Sequence, residues 1–169
     1  MENKNLLCAE EKGCEQVKIR TKFGMAMQMA CILCLAGTTM FLLIGWNRIP
    51  AEVPGHYNGA GEVDSMTGKG SLILLHVINC LMFLGISALE CFPQIWNVGV
   101  KVTARNRERV YRIVYHMVVS TKLSMVLIFS FITVWPVSGA DFPIWFTPIS
   151  LVLPFGLIAI FGIQLWRAR

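Results

Sequence analysis

The sequence predicts an all-α integral membrane protein with four transmembrane helices. Of its 169 residues, 55% are hydrophobic and only 15% are charged, and the mean hydropathy is +0.59. This composition is far more apolar than that of a soluble domain of the same length. Four long apolar runs are separated by polar or basic segments, as expected for a chain that crosses a bilayer repeatedly.

The first span is predicted from Gly24 to Trp46, after a polar tail at residues 1–23 that carries nine charges. Its 23 uncharged residues would form about 34 Å of helix, enough for a hydrocarbon core of ~30 Å. A cleaved signal peptide is not expected, because a long polar segment precedes a run of this length. Trp46 lies where an interfacial anchor belongs.

The second span is predicted from Ser71 to Phe92 and is closed by Pro93. At 100° per residue, several polar or polarisable side chains lie near one line of this helix, and we expect this seam to face protein instead of lipid. Its members are His76, Asn79, Cys80, Phe83, Ser87 and Glu90.

A basic linker is predicted at residues 93–112, followed by two helices at residues 113–169. The third span runs from Ile113 to Val137, and a turn at residues 138–141 is so short that the fourth span, Phe142 to Trp166, must be its neighbour. Pro148 and Pro154 are expected to kink the fourth span. Intramembrane polar residues of the third span are His116 and Lys122.

The distribution of Lys and Arg predicts the orientation. Twelve lie in the tail, the linker and the C-terminus, against two near the polar interval between the first two spans. By the positive-inside rule both termini should be cytoplasmic and that interval, residues 47–70, should face outward. We therefore expect a multi-pass protein of the cell membrane.

The interval Ile49 to Lys69 is the longest polar stretch between spans that is not basic. Prolines stiffen it and glycines permit tight turns, so we expect an ordered, turn-rich outer loop. Three interpretations remain open. The loop could be a cation site, or a surface that binds a peptide or protein. It could also be a structural network in which Asn58 and Asp64 are turn and cap residues, His56 bonds to backbone and Asp64 pairs with Lys69. The candidate cation ligands are His56, Asn58, Glu62 and Asp64.

The motif in this loop reads Ile-Pro-x-x-x-Pro-x-His-Tyr-Asn-x-x-Gly-Glu-x-Asp, followed by Lys69. It resembles the bacterial domain-of-unknown-function 1648 family, which is found at the start of SdpI-type toxin-immunity membrane proteins. Met66 stands where that family usually has Trp, and Val63 where it often has Pro. The resemblance implies self-protection against, or sensing of, an extracellular peptide toxin through the outer loop. The matching positions are Ile49, Pro54, His56, Tyr57, Asn58, Gly61, Asp64 and Lys69.

Glu90 and Lys122 are predicted to meet inside the membrane. Side chains lean towards the N-terminus of their helix, and these two residues lie on helices that run in opposite directions, so their charged groups approach the same depth. Snorkelling of Lys122 towards the headgroups is the alternative. His76 and His116 should lie at opposite ends of the membrane and cannot share a metal.

No catalytic or nucleotide-binding motif is present, so we predict neither an enzyme nor a cofactor. No residue is assigned as a metal ligand, and the cation site in the outer loop stays one of the three open interpretations. The basic residues flank apolar runs, which argues against nucleic acid as a partner. Two other functions stay open: a small oligomeric transporter or permease subunit that uses the seam of the second span, and a structural subunit of an envelope complex. Small residues on the first and fourth spans favour a homo-oligomer.

Overall fold

The computed structural model describes residues 21–169, which form four long helices and one β-hairpin. All four helices are long and apolar enough to cross a membrane, as predicted, which indicates a multi-pass membrane protein. The predicted polar tail lies outside the described residues except for its last three. The elements are α1 (Lys22–Gly45), β1 (Glu52–Tyr57), β2 (Val63–Gly68), α2 (Gly70–Glu90), α3 (Arg107–Val134) and α4 (Phe146–Arg167), with 3-10 turns at Pro93–Ile95 and Trp135–Ser138.

Helix α3 is the centre of the bundle. It packs against α1, α2 and α4 and is the most buried of the four, whereas α1 and α2 touch each other much less. Close approach between α1 and α3 depends on Gly24, because a Cβ atom there would lie 2.3 Å from the Tyr115 hydroxyl. The two predicted neighbours, α3 and α4, do pack together.

The β-hairpin differs from the predicted turn-rich loop and makes the fold mostly, not entirely, helical. Strands β1 and β2 are antiparallel, with Glu52 opposite Gly68 and Tyr57 opposite Val63, and the register shifts on both sides of His56. Pro54 and Gly55 hide the strand pattern in the sequence, since both are unusual in strands. A two-stranded sheet tolerates them because each strand has an unpaired edge.

Helix α3 begins at Arg107, six residues before the predicted third span. The side chains of Thr103 and Asn106 bond each other's backbone N–H groups at 3.3 and 2.7 Å, which fixes the turn before the helix. The last part of the predicted basic linker, residues 107–112, is therefore helical.

The connection from α3 to α4 is longer than the predicted turn, because α4 begins at Phe146 and not at Phe142. Pro148 consequently lies in the first turn, where a missing N–H costs nothing, so the prediction that it kinks the helix interior is wrong. Pro154 does lie inside α4.

The bundle has two distinct ends. At the hairpin end, the β-hairpin contacts residues 141–142 of the α3–α4 connection. At the opposite end, here called the linker end, the Asn106 side chain donates a hydrogen bond of 3.2 Å to the carbonyl of Ala168.

Candidate functional site: the hairpin and a buried polar layer

Asn58 organises the tip of the hairpin. Its side-chain oxygen accepts hydrogen bonds from the backbone N–H groups of Ala60 (2.9 Å) and Glu62 (3.0 Å), and its amide donates to the Glu62 carboxylate at 2.8 Å. Gly61 follows with φ of +87°, a conformation that favours glycine. Asn58 therefore acts as the turn residue that the structural interpretation predicted, and Glu62 is held beside it.

His56 and Asp64 form a pair across the two strands. The His56 Nδ1 atom lies 2.6 Å from Asp64 Oδ1, and the side chains are 71% and 42% exposed. The structural interpretation is therefore wrong for these two side chains, which pair with each other instead of with backbone and Lys69. The Cα partner of His56 is Ser65, and the irregular register at this point lets the adjacent Asp64 reach His56. An exposed pair of this kind adds little stability, so its main effect is to present an imidazole and a carboxylate on the surface.

Lys69 ties the base of the hairpin to the end of α1. Its ammonium donates to the carbonyls of Trp46 (3.0 Å) and Ile49 (3.4 Å) and lies 4.7 Å from the centroid of the Trp46 ring. Carbonyls at the C-terminal end of a helix carry partial negative charge, which suits a cation. Lys69 thus has a structural role at the junction between α1 and the hairpin.

The tip of the hairpin is fixed to the α3–α4 connection. The Val63 N–H donates to the Asp141 carboxylate at 2.7 Å, and the Phe142 N–H donates to the Gly61 carbonyl at 2.8 Å. The rings of Tyr57 and Phe142 stack with centroids 3.8 Å apart. Burial raises the pKa of the Tyr57 phenol above its ordinary value, and the nearby Asp141 carboxylate raises this pKa further.

The hairpin does not gather the ligands that a cation site would need. Within residues 21–169, no three His, Cys, Asp or Glu side chains come together in a group that could hold a metal ion. The Asn58 oxygen is already used in the turn, and His56 is paired with Asp64.

Towards the linker end of the bundle, near the start of α1 and the end of α2, a layer of polar contacts joins three helices around Lys122. This side chain is fully buried, and its ammonium lies 2.6 Å from Glu90 Oε1, 2.5 Å from Gln28 Oε1 and 3.0 Å from Ser87 Oγ. The predicted Glu90–Lys122 contact is confirmed, and Lys122 does not snorkel. The sequence analysis did not identify Gln28 as a partner of Lys122. The signal that could have indicated it is that Gln28 is the one amide side chain in the apolar first span.

The rest of the α2 seam also faces protein, as predicted. His76 Nε2 lies 2.8 Å from the Thr39 hydroxyl, which itself donates to the Leu35 carbonyl at 2.9 Å, so the imidazole N–H is the donor. The Asn79 amide donates to Ser130 Oγ at 3.1 Å. His116 lies at the linker end, where its Nε2 is 2.9 Å from the Thr21 hydroxyl, so the two histidines are far apart in depth.

A groove opens between α1 and α2 next to the hairpin. It encloses about 470 Å³ and is mainly apolar. This groove could not be predicted from a residue pattern, because it depends on how the two helices diverge. Its lining residues are Thr39, Leu42, Leu43, Trp46, Asn47, Ile73 and His76.

Comparison with known families agrees with the motif in the hairpin. The family model described as "Domain of unknown function (DUF1648)" matches residues 33–79, which include the second half of α1, the whole hairpin and the first half of α2. No curated protein and no solved structure matches the chain. The suspected resemblance to this domain is confirmed.

Proposed function

We propose that this multi-pass membrane protein, which carries the domain of unknown function DUF1648, recognises a membrane-active peptide at its outer surface and so protects its bacterial host or senses the peptide. The observation that carries the proposal is the attachment of the hairpin at both its base and its tip. Lys69 holds the base, while Asp141 and Phe142 hold the tip. A surface fixed in this way loses little conformational entropy when a ligand binds.

The proposed orientation follows from charge. The linker end carries a dense group of arginines around the start of α3 and the end of α4, whereas the hairpin end has Arg48 and Lys69. By the positive-inside rule the linker end belongs in the cytoplasm and the hairpin outside. An extracellular peptide would then meet the hairpin first.

The exposed chemistry of the hairpin suits a cationic, amphipathic peptide. Glu52, Glu62 and Asp64 are all exposed and acidic, while the Lys69 ammonium is occupied by carbonyls. Basic groups of a peptide would be attracted to these carboxylates, which favours encounter and orientation. The adjacent groove of about 470 Å³ offers space for an apolar side chain of the same peptide.

The seam of α2 supports this proposal over transport. His76, Asn79, Ser87 and Glu90 each contact a side chain of another helix, which is the ordinary way to join helices inside a membrane. A transport path would require these groups to exchange partners with a substrate. The two functions therefore depend on different residues and can be separated by substitution.

The test is survival of the host, with this gene deleted, when it is exposed to cationic membrane-active peptides secreted by neighbouring bacteria. Wild type should restore survival, and the double substitution His56→Ala with Asp64→Ala should fail to do so although the protein reaches the membrane at the same level. Lys101→Gln, an exposed change at the opposite end, should behave as wild type.

A second pair of variants tests the groove. Ile73→Trp fills the groove and should weaken protection, whereas Leu74→Trp adds the same bulk to an exposed position that does not line it. Loss of rescue only with Glu90→Gln, in a variant that reaches the membrane at the wild-type level and whose unfolding is followed in parallel, would point to transport through the seam if the loss exceeds that of an equally destabilised variant. A deletion strain as resistant as its parent would rule out protection, and stable co-purification with an envelope complex would favour a structural subunit.

A further inference from the structure

A second cavity lies at the linker end, between the start of α3 and the end of α4. It encloses about 600 Å³. Four arginines line it, together with His116, Gln164 and one carboxylate, that of Glu108. The arginines are Arg105, Arg109, Arg112 and Arg167.

The helical repeat places these side chains together. Arg109, Arg112 and His116 are spaced by three and four residues and so share one face of α3, and Arg105 lies in the turn just before the helix. Arg167 is in the last turn of α4. Packing of α4 on α3 brings it to the same cavity.

The charge of the cavity is strongly unbalanced. Glu108 is bound by Arg112, one helical turn away, so among the described lining residues three guanidinium groups have no carboxylate to offset them. Like charges held at this spacing repel one another, and an anion between them would remove that repulsion. The arginine side chains are exposed, so an anion can reach them.

We propose that this cavity binds the phosphate group of an anionic phospholipid. Guanidinium groups bind phosphate through paired, parallel hydrogen bonds, and basic cavities between helix ends are suited to acidic headgroups. The cavity lies at the ends of two membrane-spanning helices, where the headgroup layer meets the protein. Gln164 lies about one turn deeper than Arg167 and offers a hydrogen bond to the headgroup. His116 also lies about one turn deeper than Arg112; its Nε2 is paired with the Thr21 hydroxyl, so it offers its other ring nitrogen. The site is independent of the proposed function and of the orientation of the hairpin.

The full chain, reconstituted in nanodiscs of phosphatidylcholine with a minor fraction of phosphatidylglycerol, tests the site. Native mass spectrometry after gentle release counts the phosphatidylglycerol molecules that stay bound. Arg105→Gln, Arg109→Gln and Arg167→Gln together should lower retention about tenfold. The control removes the same number of charges from positions that do not line the cavity, namely Arg48→Gln, Lys101→Gln and Arg169→Gln, and should lower retention less than twofold.

The corresponding Arg→Lys triple variant separates charge from geometry, because it keeps the charge but loses the planar fork, and it should retain an intermediate amount of lipid. Inorganic phosphate at millimolar concentration distinguishes the two sources of the anion: displacement of the lipid by free phosphate, with no preference for phosphatidylglycerol, would assign the site to a soluble phosphate compound. Equal retention by the cavity triple variant and its control would overturn the proposal. A thermal unfolding transition like that of wild type in each variant would show that a loss of bound lipid is not due to misfolding.

Discussion

Glu90 and Lys122 form a buried ion pair, and we predict that removing the carboxylate alone strongly destabilises the protein. In Glu90→Gln the Lys122 ammonium keeps its neutral contacts with Gln28 and Ser87 but loses the only carboxylate beside it among the described residues. Because Lys122 is fully buried, its charge cannot reach water. Breaking a buried pair from one side costs about 3–5 kcal/mol, and we expect a loss of about 3 kcal/mol in the free energy of unfolding.

The opposite substitution should be milder. In Lys122→Met the Glu90 side chain is left alone, but it is 13% exposed and can turn towards solvent, so we expect a loss of about 1–2 kcal/mol. The double variant removes both charges and should cost no more than Glu90→Gln alone. The expected interaction free energy is therefore at least about 1 kcal/mol.

Reversible unfolding by SDS in mixed micelles, followed by tryptophan fluorescence, measures these values. The exposed Glu108–Arg112 pair on α3 provides the matched control: Glu108→Gln and Arg112→Met should each cost under about 0.5 kcal/mol and should add. If the losses at Glu90 and Lys122 are also strictly additive, the buried pair does not join the helices and the reasoning is refuted.

Three further predictions concern the hairpin. Gly61→Ala should cost about 1–2 kcal/mol because of the positive φ and a Cβ only 3.1 Å from a neighbouring carbonyl, whereas Gly59→Ala, which has open space, should be neutral in the same thermal unfolding measurement. Tyr57→Phe should leave stability unchanged or slightly improved at neutral pH, because the phenol oxygen is buried without a hydrogen-bond partner among the described residues. Because the pKa of Tyr57 is raised in the folded state, wild type, but not this variant, should lose stability as the pH rises above about 10 and through the folded-state pKa. A Tyr57 phenol that ionises below its ordinary pKa in difference absorbance would contradict this. Asp141→Ala should speed hydrogen–deuterium exchange at Val63 about fivefold or more, while Asp141→Asn keeps an acceptor and should stay close to wild type; equal exchange in all three would show that this contact does not hold the tip.

The four spans could be predicted from sequence because lipid imposes one requirement, a run of apolar residues of sufficient length, on each helix separately. The positions at which the helices begin and end were harder to predict from the sequence. Arg107 to Arg112 look like linker by charge, yet arginine and glutamate are good helix formers, and the Thr103–Asn106 turn starts the helix before them.

The polar layer could be predicted in part. Glu90 and Lys122 were paired because side-chain lean and helix direction fix their depth, and depth can be counted along a sequence. Gln28 and Thr39 could not be assigned as partners, since the rotation of α1 against α2 and α3 depends on packing. His56 and Asp64 were recognised as neighbours in a loop, but their pairing depends on strand register, which Pro54 and Gly55 concealed.

The residues that hold the tip of the hairpin lie outside the part of the chain that matches the domain. The match covers residues 33–79, yet the tip of the hairpin is fixed by Asp141 and Phe142, which follow α3. Within the match, Lys69 holds only the base. A two-stranded hairpin is marginally stable by itself in water, so its order at the tip depends on contacts from outside the domain. Helix α3 leads directly into those contacts, because Asp141 and Phe142 follow it. Nearer the linker end, the polar layer around Lys122 joins the same helix to α1 and α2. The buried ion pair and the rigidity of the proposed recognition surface are therefore connected through one helix, and a variant that loosens α3 should also loosen the tip of the hairpin.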